Sequence, residues 1–408
     1  MDLSAPHPAL GAGSGRSPGR PKTVLVTVAA AASLLATTAT LAAQLAPASA
    51  ATRAVGAAHQ RHAVNKSRHK VNLEVPPKAA VNISETGSTL LYPLFQTWAS
   101  AYHAAYKNIS VTPQGTGSGT GISQAEAGAV DIGASDAYLS SSVKQSYPGL
   151  MNIALAISAQ QVNYNIPGLS PDVHLKLTGP VISKIYQGII KNWDDPEITA
   201  LNPGVKIPPT PIVALHRSDG SGDTFLFTQY LTFSDPANWG KIVNYGTTVA
   251  WPAIASSLGE NGNGGMVTGC ASTPGCIAYI GISYLSQTTA DHLGQAALQN
   301  RAGHFELPTQ ASIAAEAAAV TKLTPPTENL SLIYDPAPSG YPIINYEYAI
   351  VQQKQPNATV AAAVRAFLYW AVDPKGGSAP SFLSKVNFQP LPTGIAGLSK
   401  TQISKITG

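Results

Sequence analysis

Apolar positions along the chain alternate between two spacings. A short β-like run, Ala80-Val-Asn-Ile-Ser84, gives way at Thr86-Gly87-Ser88-Thr89 to Leu90, Leu91, Leu94, Phe95, Trp98, Tyr102 and Tyr106, which recur at helical intervals. The spacing predicts a strand at 80–84 and a helix over 90–107, with Pro93 tolerated in its first turn. Ile109-Ser-Val-Thr112 reads as a second strand, Gln114-Gly-Thr-Gly-Ser-Gly-Thr-Gly121 as a Gly-rich turn, 122–128 as the start of a helix, and Val130-Asp-Ile-Gly-Ala134 as a third strand ending at Ser135-Asp136. Farther on, 151–166 and 343–351 read as strands, and 181–190, 225–231 and 360–370 as helices. Pro211-Ile-Val-Ala-Leu-His216 is a strand feeding Arg217-Ser-Asp-Gly-Ser-Gly-Asp-Thr224. Strand, turn and helix in this alternation predict an α/β fold with ligand sites at the C-terminal ends of strands. No short repeat is present, which argues against solenoids and propellers.

The N-terminus departs from this pattern. Arg20 and Lys22 precede an apolar, Ala-rich run over 23–45 that ends in Pro47-Ala48-Ser49-Ala50. A basic segment, an apolar segment and small residues at a cleavage site predict an export signal over 1–50, with an uncleaved anchor as the alternative. Residues 51–80 carry no period and are rich in Ala, His, Lys and Arg, the composition of a basic flexible linker. No cysteine stands directly after the apolar run, so a lipid anchor at a signal-peptide cysteine is not expected, and the chain is expected at the cell surface, in the wall or secreted. The two cysteines, Cys270 and Cys276, flank a Pro-Gly turn, and in an exported chain they predict a small disulfide loop.

Charge sharpens the exclusions. The formal net charge of the 408 residues is +4, but nine of the 25 Lys and Arg lie within residues 1–80, leaving sixteen against nineteen Asp and Glu in the rest. A mildly acidic body argues against nucleic acid as a partner. There is no P-loop, no complete dinucleotide fingerprint and no nucleophile elbow. The histidines cluster in the linker (His59, His62, His69) or are scattered, and His216 lacks neighbours at metal-ligand spacing, so neither a metal nor a cofactor is expected. Three Gly/Ser turns remain: 86–89, 115–121 and 219–224. Each follows a predicted strand and opens a predicted helix. The first turn of a helix exposes N–H groups and the positive end of the macrodipole, glycine lets an anion approach, and Ser and Thr add donors. One such turn is ordinary capping. Three, one of them carrying Arg217, point to a bound oxyanion, and with no nucleophile–base pair in evidence they favour binding over catalysis.

These residues resemble the substrate-binding protein of the phosphate-specific ABC importers. Glu85-Thr-Gly-Ser-Thr-Leu-Leu-Tyr-Pro93 resembles its first phosphate loop, Gln114–Gly121 with Ile132-Gly-Ala-Ser-Asp136 its second, and His216-Arg-Ser-Asp-Gly-Ser-Gly222 its third. Asn192-Trp-Asp-Asp-Pro196, Leu201-Asn-Pro-Gly204 and Gly259-Glu-Asn-Gly-Asn-Gly-Gly265 add to the likeness, and the Cys270–Cys276 loop with Tyr341-Pro-Ile-Ile-Asn345 is similar to the actinobacterial branch. The resemblance implies a class II periplasmic-binding-protein fold: two α/β lobes joined by two crossing strands, with a ligand cleft between them. Lobe 1 would comprise 81–163 and 345–408, and lobe 2 would comprise 164–344. It also implies a non-enzymatic receptor, expected to be a monomer, that captures inorganic phosphate and delivers it to the permease and ATPase subunits of an importer. Thr89 and Leu90 would offer backbone N–H groups, Thr89, Ser118 and Ser221 hydroxyls, and Gly222 and Asp223 further N–H groups. Arg217 would supply charge, Asp219 would orient it, and Asp136 would accept a hydrogen bond from the ligand. Asp223 stands where the family commonly has Thr, which exchanges a hydroxyl donor for a carboxylate. The alternatives are a secreted phosphatase with Ser118 or Ser221 as nucleophile, a surface adhesin, and the same fold with sulfate, molybdate or an organic phosphate as ligand.

Overall fold

Twelve strands order the chain in a computed structural model that describes residues 75–408; the predicted export signal, and the linker up to residue 74, lie outside the described residues. In sequence they are β1 (Val81–Gly87), β2 (Ile109–Thr112), β3 (Ile132–Ser135), β4 (Leu150–Asn165), β5 (Lys176–Leu177), β6 (Val213–Arg217), β7 (Ser257–Glu260), β8 (Cys276–Gly281), β9 (Gly294–Gln295), β10 (Ala297–Gln299), β11 (Phe305–Glu306) and β12 (Ile344–Gln352). Nine of them form one array in the order β2-β1-β3-β12-β4-β8-β6-β7, with β9 also on β4, while β11-β10-β5 make a small separate sheet.

β4 explains the architecture. From Leu150 to Ala159 it pairs antiparallel with β12, whereas from Gln160 to Asn165 it pairs antiparallel with β8. One strand therefore belongs to two sheets. The first is β2-β1-β3-β12 with the front half of β4, and the second is the rear half of β4 with β8, β6 and β7. The chain returns beside the same point, where Gln160 N–H donates to Ile343 O (3.0 Å) and Ile344 pairs with Ala159. This is a two-lobed α/β fold with two crossings. Fifteen of the sixteen β4 residues are buried, which is why the segment reads as an apolar run rather than as an alternation.

Each lobe has its own aromatic core. The helix Tyr92–Ala105 buries Leu94, Phe95, Trp98 and Tyr102. Trp98 meets Phe367 of the helix Ala358–Ala371 edge-to-face at 6.3 Å. Each fully buried Leu or Phe is worth about 1.5–3 kcal/mol. In the other lobe Phe227 stacks on Tyr279 at 4.4 Å, with Tyr186 and Trp251 alongside.

Three helices that border the site begin at different residues from those the spacing predicts. The first begins at Tyr92 rather than 90, because Ser88 Oγ accepts from Leu91 N–H (2.9 Å) and holds 88–91 in a turn. The second begins at Ser118 rather than 122, since Gly117, with φ 93°, turns the chain early. The third begins at Gly222 rather than 225, capped by Ser221, whose Oγ accepts from Thr224 N–H (3.2 Å). The predicted helix 181–190 runs instead over Gly179–Tyr186, capped by Thr178 and ended near Gly188, whose φ is 70°. Cys270 and Cys276 form the disulfide, with Cα atoms 5.3 Å apart. It fastens the end of the helix Gly262–Ser272 to the start of β8. No described helix is long and apolar enough to cross a membrane.

Candidate functional site

The three Gly/Ser turns meet where β4 passes from one sheet to the other. The second turn hangs on the first: Thr116 N–H donates to Gly87 O (2.9 Å), and the Thr86 and Thr116 hydroxyls share a hydrogen bond of 2.7 Å. Gly87 has a φ of 145°, and a Cβ there would lie 2.0 Å from Ala134 O, so only glycine lets β1 and β3 close beneath the turn. The third turn arrives from the second lobe and touches the second, with Gly119 N–H donating to Gly220 O (2.8 Å). Gly222 comes so near the first lobe that a Cβ would stand 2.3 Å from Asp136 Oδ2 and 2.5 Å from Ser118 Oγ. Three chain segments thus point the starts of their helices at one place. Ser118, Gly222 and Asp223 occupy first turns, where N–H groups have no intrahelical acceptor.

The charges there are arranged around Arg217, at the end of β6 and 3% exposed. Its Nε donates to Asp219 Oδ1 (2.6 Å), its Nη2 to Asp219 Oδ2, and its Nη1 to Asp223 Oδ2 (2.8 Å). Three of the five guanidinium protons are engaged, leaving two for a ligand. Burial opposes the Arg217 charge, but Asp219 and Asp223 outweigh it and its pKa rises. Burial also opposes ionisation of Asp219, yet the hydrogen bond and charge of Arg217 hold its pKa below the ordinary carboxylate value. Asp223 is raised by burial, against the pull of Arg217, Asn263 and Gln160.

Across the cleft, Asp136 is buried at the end of β3. Ser88 Oγ donates to its Oδ1 and Ser118 Oγ to its Oδ2 (3.3 Å). Burial first, and the Asp223 charge second, push this carboxyl up to about 7. The geometry offers a tetrahedral anion N–H and O–H donors from three turns, one guanidinium and one carboxylate acceptor.

All the residues anticipated from sequence gather here. Thr89, Leu90, Ser118 and Asp136 come from the first lobe, and Arg217, Asp219, Ser221, Gly222 and Asp223 from the second. The Leu90 side chain is buried and packs towards Gly281, and its carbonyl accepts from Ser283 Oγ (2.7 Å). The Asp223 carboxylate is turned onto Arg217, Asn263 (2.7 Å) and Gln160 (3.2 Å). His216 stacks on Trp251 at 4.9 Å, a packing role. Among the described residues no His, Cys, Asp or Glu group is placed to hold a metal ion.

Sequence reasoning gave Asn263 no role, although it lies within the quoted 259–265 segment. Its Nδ2 donates to Thr89 Oγ1 (2.9 Å) in one lobe and to Asp223 Oδ2 in the other, while its Oδ1 accepts from Gly281 N–H (2.7 Å). The available signal was an Asn directly after a Gly that opens a helix.

Comparisons with known proteins agree with this geometry. A family model described as a PBP superfamily domain matches residues 46–375. The phosphate-binding protein PstS of Xylella fastidiosa strain 9a5c is 32% identical over 325 residues, 79% of this chain and 85% of the relative. PstS 3 of Mycobacterium leprae is 30% identical over 324 residues, 76% and 83% of the two chains. Among solved structures, a phosphate-binding protein from Stenotrophomonas maltophilia superposes with a TM-score of 0.61 at 18% identity, covering 79% of this chain and 93% of that one; this likeness speaks for the fold. With the domain match spanning most of the chain and the relatives aligned over three quarters or more of it, the protein belongs to the PBP superfamily and, within it, to the phosphate-binding proteins of the PstS type.

Proposed function

We propose that this protein is an extracytoplasmic receptor that captures inorganic phosphate in the cleft between its lobes and presents it to the membrane subunits of an ABC importer. The observation that carries the reading is the convergence of three helix-opening turns, Arg217 and Asp136 on one buried point. Relatives about 30% identical over most of the chain are phosphate-binding proteins. In this reading Thr89, Leu90, Gly222 and Asp223 give backbone N–H groups, Ser118 and Ser221 give hydroxyls, and Arg217 gives charge-assisted hydrogen bonds. Asp219 fixes the guanidinium plane and Asp136 accepts the proton the ligand carries. Asp223 acts through its backbone, its carboxylate being spent on Arg217 and Asn263. The lobes divide as 81–163 with 345–408, and 164–344, in keeping with the change of partner on β4 between Ala159 and Gln160. In this reading residues 1–50 act as an export signal and 51–80 as a basic linker, and the receptor works outside the cytoplasm as a monomer.

Calorimetry of protein stripped of ligand is the direct test. Phosphate and arsenate should titrate a single saturating site and sulfate should not; no heat and no competition with phosphate would sink the reading. Turnover of a phosphomonoester by the same sample would favour the phosphatase alternative. Since the ligands come from both lobes, phosphate should also shift the population toward the closed form, seen as compaction in small-angle scattering.

Gly222→Ala tests the closure itself. The added Cβ falls 2.3 Å from Asp136 Oδ2, inside contact distance. The lobes must then stay apart by about the width of a methyl group, and phosphate affinity should fall at least about tenfold with the fold intact. Parent-like affinity with parent-like compaction would show that the lobes do not close on this glycine.

A further inference from the structure

A second buried carboxylic acid stands behind Asp136. Tyr348 of β12 pairs with Ser135 of β3, and one further step of the same antiparallel register sets Glu347 opposite Asp136. Directly opposed residues of an antiparallel pair have Cβ atoms about 4.5–5.5 Å apart. The pairing of β12 with β4 is irregular at this point, with a register shift between Glu347 and Tyr348; such irregularities re-aim a side chain. Glu347 is completely buried. Its Oε1 accepts from Ser158 Oγ (2.5 Å) and Asn345 Nδ2 (3.1 Å). Its Oε2 meets no N–H or O–H donor, and the register step sets its side chain on the same face of the sheet as that of Asp136. Two carboxyl groups that face one another without a cation between them share a proton.

We propose that Glu347 is a positioning residue of the anion site: a neutral carboxylic acid whose O–H donates to Asp136, holding Asp136 ionised, correctly turned and able only to accept. This deepens the phosphate reading and rests on it for its ligand readouts. The groups around the pair decide which member keeps the proton. Asp136 receives the Ser88 and Ser118 hydroxyls and feels Arg217 and Asp223 from the opposite lobe, with Asp219 bound to the guanidinium. Glu347 is flanked by neutral Ser158 from β4 and Asn345 from β12 and has one oxygen without a donor. Burial, and then the Asp136 charge, raise Glu347 well above the ordinary glutamate range, in accord with this order. The proton on Glu347 would keep Asp136 from taking one, and an Asp136 without a proton is what turns sulfate away.

Two variants separate this role from simple packing. Glu347→Gln keeps the size, a donor toward Asp136 and an acceptor for Ser158 and Asn345. It should bind phosphate within about threefold of the parent and still reject sulfate. Glu347→Leu removes the donor, so Asp136 takes up a proton more readily. Phosphate affinity near neutral pH should drop at least about tenfold and recover as pH rises, while sulfate competes increasingly as pH falls. A loss that is the same at every pH with sulfate still rejected, an unaffected Leu variant, or a folded Gln variant as weak as Leu would each overturn the proposal. Should the Leu variant not fold, infrared spectroscopy of the ligand-free protein still decides. In mildly alkaline buffer the parent-minus-Glu347→Gln difference spectrum should show the loss of one protonated-carboxyl C=O component that Asp136→Asn retains, over the unchanged background of the other buried carboxyls with raised pKa, Glu85, Glu316 and Glu328; a difference spectrum without that component overturns the proposal. This readout needs no ligand, so failure of the parent to bind phosphate would count against the receptor reading and leave the proton assignment to the spectrum.

Discussion

Replacing Arg217 by alanine is expected to weaken phosphate binding by roughly tenfold to a hundredfold, because a hydrogen bond to a charged group contributes about 1.5–3 kcal/mol. Binding should survive, since N–H groups at the helix starts and neutral hydroxyls remain. The same change should cost the folded state more than it costs the ligand. Arg217 is the shared partner of Asp219 and Asp223, and both it and Asp223 are almost wholly buried. Removing one member of a buried pair leaves the other charge uncompensated, at about 3–5 kcal/mol. The sign of the pH effect separates this cause from lost packing. Without the guanidinium both carboxyls prefer to be protonated, so the deficit in denaturant midpoint should be largest near neutrality and shrink as pH falls through their raised pKa values. Arg217→Lys should restore charge without the two-pronged contact to Asp219, and recover stability only in part. Unaltered affinity in the alanine variant would remove Arg217 from the site; a deficit constant with pH would remove the unpaired-carboxylate explanation.

Asp136→Asn is expected to change what the cleft accepts. Donors alone would take phosphate and sulfate alike, as both are tetrahedral oxyanions. An ionised carboxylate only accepts, and phosphate near neutral pH still has a proton to give, whereas sulfate has none. Sulfate facing Asp136 meets an unpaired like charge out of water, at several kcal/mol. The amide can donate, so sulfate should gain at least about a hundredfold while phosphate loses about tenfold. In the parent, the Asp136 carboxyl is raised to about 7, chiefly by burial. As pH falls through that value the group becomes protonated and able to donate, so sulfate should begin to compete in the parent below neutrality, but not in mildly alkaline buffer. Competition titrations across pH 6–8.5 would show this. A variant that rejects sulfate as firmly as the parent does would shift the selectivity role away from Asp136.

The parts of this molecule that announce themselves in sequence are those whose chemistry is local. Thr89, Ser118 and Ser221 sit in Gly/Ser turns because a helix start needs a cap and a close approach needs glycine, and both demands are written within a few residues. β4 was readable as a buried strand because both its faces are covered. β7 and β8 carry no period that separates them from their surroundings, and the helices over Tyr92–Ala105, Ser118–Glu126 and Gly222–Ser234 have boundaries set by Ser88, Gly117 and Ser221 rather than by apolar spacing. Asn263 and Glu347 were not legible as site residues. Each acquires its meaning from a partner brought in by tertiary structure, Thr89 for one and Asp136 for the other. A lone acidic residue in a strand as apolar as 343–351 is the one hint the chain gives of the second.

The shared strands also set the order in which the molecule can be finished. β12 lies between β3 and β4, joined to Ser135 on one side and Ala159 on the other, yet it is made only after the whole of 164–343. Until it arrives, β3 and the front half of β4 offer open edges, and the first lobe cannot seal. Contacts this distant in sequence form late and slowly. For the proposed exported receptor, threaded across a membrane N-terminus first, the early segment would therefore stay pliant during passage, and the proposed anion pocket would be assembled in one late step, on the far side, when the last quarter of the chain has emerged.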